Sequence, residues 1–168
     1  VAYDRSFGDL AASGVTKTSA ERDFTIKVDA TGLKPGRRFF YRFVVNGQGS
    51  DIGSTKTLPK GAVGRFRMGV ASCSNYPQGY FHAYDDMAKS ELDLVLHLGD
   101  YLYEYERGNY VNPIAEETLG RAVMPINEII SLADYRERYA LYRSDRDLQA
   151  AHAAHPWICV WDDHELTN

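Results

Sequence analysis

Several things are scarce in this sequence, and each scarcity narrows the reading. Among its 168 residues cysteine occurs only at Cys73 and Cys159, which leaves one disulfide or two free thiols. The pair is badly placed for bonding. Cys159 lies inside an expected strand and Cys73 just past the end of another. At ~3.3 Å per residue, that offset exceeds a disulfide's reach if the strands are parallel. No apolar run approaches the ~18 residues of a membrane span. Positive charge is not in excess. The net charge of −4 gives no reason to expect nucleic acid or an anionic membrane as partner. Internal repeats and low-complexity tracts are missing. The sequence opens at Val1 with neither a Met nor a basic-apolar stretch, and any targeting signal is expected to have been removed or never to have been included in it.

What remains is ordinary in bulk and rich in aromatics. Hydrophobic residues make up 44% and charged residues 25%, as in soluble globular proteins. Twelve Tyr and seven Phe promise large buried areas. The length suits one large domain or two small ones. The pattern changes at Leu58-Pro59-Lys60-Gly61, which divides the chain into residues 1–59 and 60–168.

The first part reads as all β. Phe24, Ile26, Val28 and Ala30 alternate with polar residues, the mark of a half-buried strand. Thr31-Gly32-Leu33-Lys34-Pro35-Gly36 is a turn. Phe39, Tyr41, Phe43 and Val45 alternate again until Asn46-Gly47, a hairpin turn. Gly53 to Leu58 closes the set as an edge strand. The stretch Leu33, Pro35, Gly36, Phe39 resembles the corner of fibronectin type III-like sandwiches, with Phe where those domains carry Tyr, so the corner hydroxyl bond is expected to be absent. Four or five strands fit here, fewer than the ~7 of a full sandwich. The expectation is an Ig/fibronectin-like β-sandwich that is incomplete at its start, with its exposed edge covered by a further segment.

The second part alternates strand and helix. Phe66–Ala71, Leu92–Leu98 and Trp157–Trp161 read as strands. Gly79–Lys89 reads as a helix with Tyr80, Phe81 and Tyr84 on one face. Ser131-Leu132-Ala133-Asp134 is a capping-box start for a helix through Tyr142. Ser144-Asp145 starts another through Ala154, closed by Pro156. This order implies parallel βαβ units. The connection from Glu104 to Ile130 is long enough to be an active-site lid or a disordered insertion.

Chemistry gathers where those strands end. Ser72-Cys73-Ser74-Asn75 follows the first strand, Gly99-Asp100-Tyr101-Leu102-Tyr103 the second, and Trp161-Asp162-Asp163-His164-Glu165 the third. Carboxyl ends of strands in open α/β sheets are where ligands bind. Asp100 and Tyr103 are spaced so that a carboxylate could bridge two cations while a phenolate binds one. A phenol with pKa near 10 ligates at neutral pH only beside a strong Lewis acid such as Fe3+. Cys73 would add a thiolate, whereas Ca2+ would favour Asp100, Asp163 and Asn168. His164 could protonate a leaving oxygen or hold phosphate. Singly, each has an ordinary explanation: Asp100 as a turn cap, Tyr103 as core, Cys73 as a small buried hydrophobe, Asp162 to Glu165 as a solvated helix start. Their joint placement favours a shared metal site. His97 and His155 read as structural, and His82 and His152 as solvent-facing.

Ser72-Cys73, Gly99-Asp100-Tyr101-Leu102-Tyr103-Glu104, Leu148-Gln149-Ala150-Ala151-His152 and Trp161-Asp162-Asp163-His164-Glu165 together resemble the PhoD family of alkaline phosphatases. The β-rich part before Pro59 is similar to that family's N-terminal sandwich. The resemblance implies a calcineurin-like α/β metallophosphoesterase domain, here its first half. It implies hydrolysis of phosphate esters by a metal-bound hydroxide, with Fe3+ and Ca2+ as cofactors. It also implies an exported protein, periplasmic or extracellular, with cell-wall or lipid phosphate polymers among the substrates in view. Carried over, Cys73 and Tyr103 bind iron and Asp100 bridges the ions. Asp163 and Asn168 are the candidates for the second-metal contact, which of the two touches the ion directly being open, and His164 matches the family's catalytic histidine. Gly99-Asp100-x-x-Tyr103 is similarly the spacing of purple acid phosphatases. The family's downstream Asp and His ligands, including a Gly-His-x-His segment, have no counterpart in the sequence. The chain is therefore expected to be a fragment, inactive alone. A competing class is an extracellular adhesion module whose β part works and whose α/β part is scaffold; it leaves the three polar strand ends unexplained.

Overall fold

A computed structural model describes residues 1–166 of the chain. Among the described residues seven strands and four α-helices follow one another. Strands β1 (Arg38–Tyr41), β2 (Val44–Val45), β3 (Gln48–Gly49) and β4 (Gly53–Lys56) precede β5 (Met68–Ala71). Then come α1 (His82–Lys89), β6 (Leu94–His97), α2 (Pro113–Leu119), α3 (Leu132–Arg143), α4 (Arg146–Ala154) and β7 (Trp157–Cys159).

The early part forms two antiparallel ladders, β1 with β4 and β2 with β3. Asn46 and Gly47 join β2 to β3, and both take positive φ, 51° and 80°, as a type I′ turn requires. Phe39 is buried against Tyr3, with ring centroids 5.1 Å apart. The run from Phe24 to Ala30 enters no ladder. Phe24 is 72% exposed and Val28 58%, so the strand expected there is not formed. Alternation describes a face, but a strand exists only where its backbone pairs with a neighbour, and this run joins neither of the two-stranded ladders. The corner at Gly36 (φ 64°) does have its hydroxyl. Thr57 supplies it, with Oγ1 donating to the Lys34 carbonyl at 2.7 Å and accepting from the Arg37 N–H at 3.1 Å. A residue from the neighbouring edge thus does what Phe39 cannot.

The later part is a parallel sheet in the order β5-β6-β7, as the alternation of strand and helix implies. Tyr76, Phe81, Tyr84, Tyr101, Leu102, Tyr142 and Leu148 form its core. Val95 and His97 of β6 are buried on that side, whereas Met68, Val70 and Ile158 lie half-exposed on the other. Tyr80 is exposed, so only Phe81 and Tyr84 of its aromatic trio enter the core. Helix α3 starts in the expected capping box of Ser131 and Asp134, and α4 on the Asp145 carboxylate. Neither cysteine is bonded.

The long connection contains α2 and is tied down by two buried arginines. Arg138 donates to the carbonyls of Tyr103, Tyr105, Met124 and Pro125. Arg121 pairs with Asp145 at 2.6 Å and lies 3.4 Å over the Tyr76 ring. Pairing matters for buried charge, since an isolated guanidinium would be expensive to desolvate. The two parts meet where the Ser54 hydroxyl donates to the Ala154 carbonyl at 2.6 Å and Lys56 pairs with Asp93.

Candidate metal centre

Parallel register brings Ala71, His97 and Cys159 level across the sheet. The chain therefore leaves all three strands on one edge. After β5, Cys73 sits at φ 57°; after β6, Gly99 and Asp100 sit at 110° and 52°. The two turns are stitched together: Cys73 N–H donates to the Gly99 carbonyl (3.2 Å) and Ser74 N–H to that of Asp100 (2.8 Å). A Cβ at Gly99 would stand 2.4 Å from the Asp162 Cβ. Both its φ and this close approach demand glycine.

The third turn, a 3-10 turn over Asp163–Glu165, packs onto that glycine. Asp162 and Glu165 close a capping box around it, so the expectation of acids capping a first turn is correct as local structure. Glu165 also reaches outward. Its carboxylate accepts from the N–H groups of Asp162 (2.7 Å), Asp100 (3.0 Å) and Tyr101. One side chain thereby locks the third strand end to the second.

Within this frame the predicted residues come together. Asp100 is buried, and its Oδ2 accepts from Cys73 Sγ and from the Tyr103 hydroxyl, each at 3.4 Å. Its Oδ1 is buried with no hydrogen-bond partner. One ligand atom each from Asp100, Asp163 and His164 fall within 4.8 Å of one another. Asp163 is exposed and His164 buried. Asn168 lies outside the described residues.

An unsatisfied buried carboxylate oxygen costs ~1–3 kcal/mol or more, and a cation is what would relieve it. The donors gathered there (carboxylates, thiol, phenol, imidazole) are all metal-ligand types. These residues fit a metal. Burial first, then the neighbouring Asp100 and Cys73, push the Tyr103 phenol well above its ordinary pKa. Without a strong Lewis acid it stays protonated.

Glu104 is the residue that reading the sequence left without a role. It is buried, with Oε2 2.8 Å from His164 Nδ1. A carboxylate on Nδ1 fixes the ring and leaves Nε2 to act. The Tyr103 ring lies 4.2 Å from that of His164. An acid set between Tyr103 and Tyr105 in an apolar stretch was the available signal. His97 is structural as expected. It is buried, 3.1 Å from both Ser74 Oγ and the Tyr84 hydroxyl, and burial lowers its pKa. His155 is likewise buried, on the Met87 carbonyl. His82 is exposed. His152 is not solvent-facing: it stacks on Trp157 at 3.9 Å and sits 2.9 Å from the Tyr101 hydroxyl. Helix α4 turns this residue toward the sheet, which its polar identity did not suggest.

A parallel sheet whose adjacent strand ends pool these side chains defines an α/β protein with a candidate metal centre at its carboxyl edge. Comparison with known proteins narrows the class. Residues 68–168 match the PhoD-like phosphatase family and residues 1–59 the PhoD-like phosphatase N-terminal domain. The chain belongs to the PhoD-like phosphatase family. Alkaline phosphatase D of Bacillus subtilis (strain 168) is 44% identical over 170 residues, covering 100% of this chain and 28% of that protein. A solved structure described as "Structure of PhoD" superposes with a TM-score of 0.93 at 43% identity, covering 99% of this chain and 32% of that one. The chain thus spans about a third or less of the relatives it matches.

Proposed function

We propose that this chain carries the first part of a metal-dependent phosphoric ester hydrolase, an alkaline phosphatase of the PhoD type. The observation that carries the proposal is Asp100, set between Cys73 and Tyr103 with one buried oxygen unpartnered. Cys73 and Tyr103 would hold Fe3+, Asp100 would serve both ions, and Asp163 or Asn168 would contact Ca2+. When bound, the ions supply Lewis-acid stabilisation of charge at phosphorus and a nucleophile derived from water. His164, oriented by Glu104 through Nδ1, presents Nε2 to protonate the leaving oxygen. Glu165 holds the Asp100 turn in place through the backbone.

The same proposal divides the chain into residues 1–59 and 60–168. The β part belongs to an Ig/fibronectin-like sandwich, and the exposed face carrying Met68, Val70 and Ile158 packs against further chain of the full-length protein. Further ligands would come from there too, so the 168 residues alone would be inactive. An exported enzyme acting on phosphate esters, wall or lipid phosphate polymers included, is consistent with the family.

Elemental analysis and turnover of a chromogenic phosphate ester by the full-length protein test this reading. Iron and calcium should be present, with a visible phenolate-to-iron absorption band that Tyr103→Phe removes or strongly shifts. A colourless, iron-free, active enzyme would overturn the assignment of Tyr103.

A further inference from the structure

Tyr110 is held in a way that core packing does not require. Its φ of 51° is left-handed, which disfavours a bulky residue and persists only where surroundings impose it. Two side-chain amides impose it here. Asn75 Nδ2 donates to the Tyr110 carbonyl at 2.9 Å and Gln78 Nε2 at 3.0 Å. Asn75 is itself buried, two residues past Cys73, so the clamp grows from the turn that carries the thiol. Asn112 N–H adds a bond to the Pro77 carbonyl at 3.1 Å.

This clamp does not bury the residue, which stays 56% exposed. Its ring centroid is 5.7 Å from that of Tyr103 and 5.8 Å from that of Tyr105. Tyr105 in turn lies edge-on to His164 at 5.3 Å. Among the described residues an aromatic side chain therefore stands uncovered, directly beside the phenol that flanks Asp100 and one ring away from the imidazole that would meet a leaving oxygen. Strain fixed at such a place is a sign of function.

We infer that Tyr110, backed by Tyr105, forms a leaving-group subsite that favours phosphate esters whose departing alcohol carries a flat ring. The inference rests on the phosphatase reading for its orientation. Stacking on the exposed ring would stabilise bound ester without touching the reacting atoms, so it acts on KM rather than kcat. The clamp supplies preorganisation, because the ring need not be ordered on binding. The ring is the working part; the hydroxyl takes no part in the clamp.

The test uses the full-length holoenzyme with 4-nitrophenyl phosphate and methyl phosphate. Tyr110→Ala should raise KM for the aryl ester about 3- to 10-fold, the range of one aromatic pair, leaving its kcat and both constants for methyl phosphate unchanged. Tyr110→Phe should behave as wild type. Gln78→Ala, which removes one clamp without altering the ring, should shift aryl KM in the same direction by less. Calorimetry with phenylphosphonate, which is not turned over, should show the same weakening for Tyr110→Ala. Equal losses on both esters would make Tyr110 merely a support for Tyr103 and overturn the inference, as would no change on either. If the wild type hydrolyses neither ester, the phosphatase reading fails. The calorimetric comparison still decides whether Tyr110 binds aryl phosphonates.

Discussion

Residues 1–59 and 68–166 carry similar apolar alternation, and it means different things in the two. In the later part the alternating residues of β6 are covered. Val95 is fully buried and His97 nearly so, because side chains of α1 and α4, Tyr84, Leu148 and Ala151 among them, pack on that side of the sheet. In the earlier part Val44 and Val45 are 60% and 68% exposed although they sit in a ladder. Period-two patterning specifies which face is apolar. Burial needs a second layer, and a βαβ unit brings its own within a few tens of residues. A β-sandwich must find its second sheet at long range. The local layer explains why the carboxyl edge that carries the candidate metal centre is backed by a packed core while the β part is not enclosed by described residues.

The sharpest way to break that comparison is to disable chemistry in the later part without disturbing packing. Asp100→Asn keeps volume and removes charge. In the full-length protein it should lower phosphatase turnover by several orders of magnitude, since one carboxylate serves Cys73, Tyr103 and the proposed bridge. Metal content should fall with it. Near-normal turnover would return Asp100 to a turn-capping role.

Next in size is a pair of truncations in the earlier part. Phe39 is fully buried and Phe43 is 42% exposed, though both lie on one alternating run. Phe39→Ala should cost ~3–5 kcal/mol of that part's stability, and Phe43→Ala well under half as much, read from denaturant midpoints. Turnover per folded molecule should hold in both. Equal costs would mean that Phe43 is covered in solution and that the sandwich has its second sheet.

Much of this was legible from residues alone, for reasons that differ by element. The helix starts at Ser131 and Asp145 were readable because a cap is local chemistry between residues three apart. The Asn46-Gly47 turn was readable because two successive positive φ values select those residues. The convergence of Cys73, Asp100, Tyr103, Asp163 and His164 followed from parallel strands ending level. What escaped was set by distant partners. The Glu104–His164 contact spans 60 residues, the Thr57 hydroxyl replaces a missing tyrosine from a neighbouring edge, and Arg138 organises a connection that reads as an active-site lid or a disordered insertion. His152 was misplaced because its burial depends on Trp157 and Tyr101, not on its helix alone.

The smallest expected effect concerns acid, and it separates the two parts cleanly. All five histidines lie at or beyond residue 82, and none lies within 1–59. Burial first, then Arg143 and His97, lower the His152 pKa to about 3, against ~6.5 when unfolded. A folded pKa below the unfolded one means the unfolded chain binds the extra proton. Stability is then full above pH ~6.5 and falls as pH drops toward 3, by at most ~1.4 kcal/mol per unit. His97 shifts the same way, again through burial. Carboxylates held low by hydrogen bonds, such as Asp4 and Asp134, lose their contribution only as pH falls below ~4. The window from pH 6.5 to 4.5 therefore isolates the imidazoles. Amide hydrogen exchange, corrected for intrinsic rate, should show β6 losing protection across that window while β1 does not. His152→Gln should flatten the β6 slope. Parallel losses in β1 and β6 would mean that the two parts unfold as one unit.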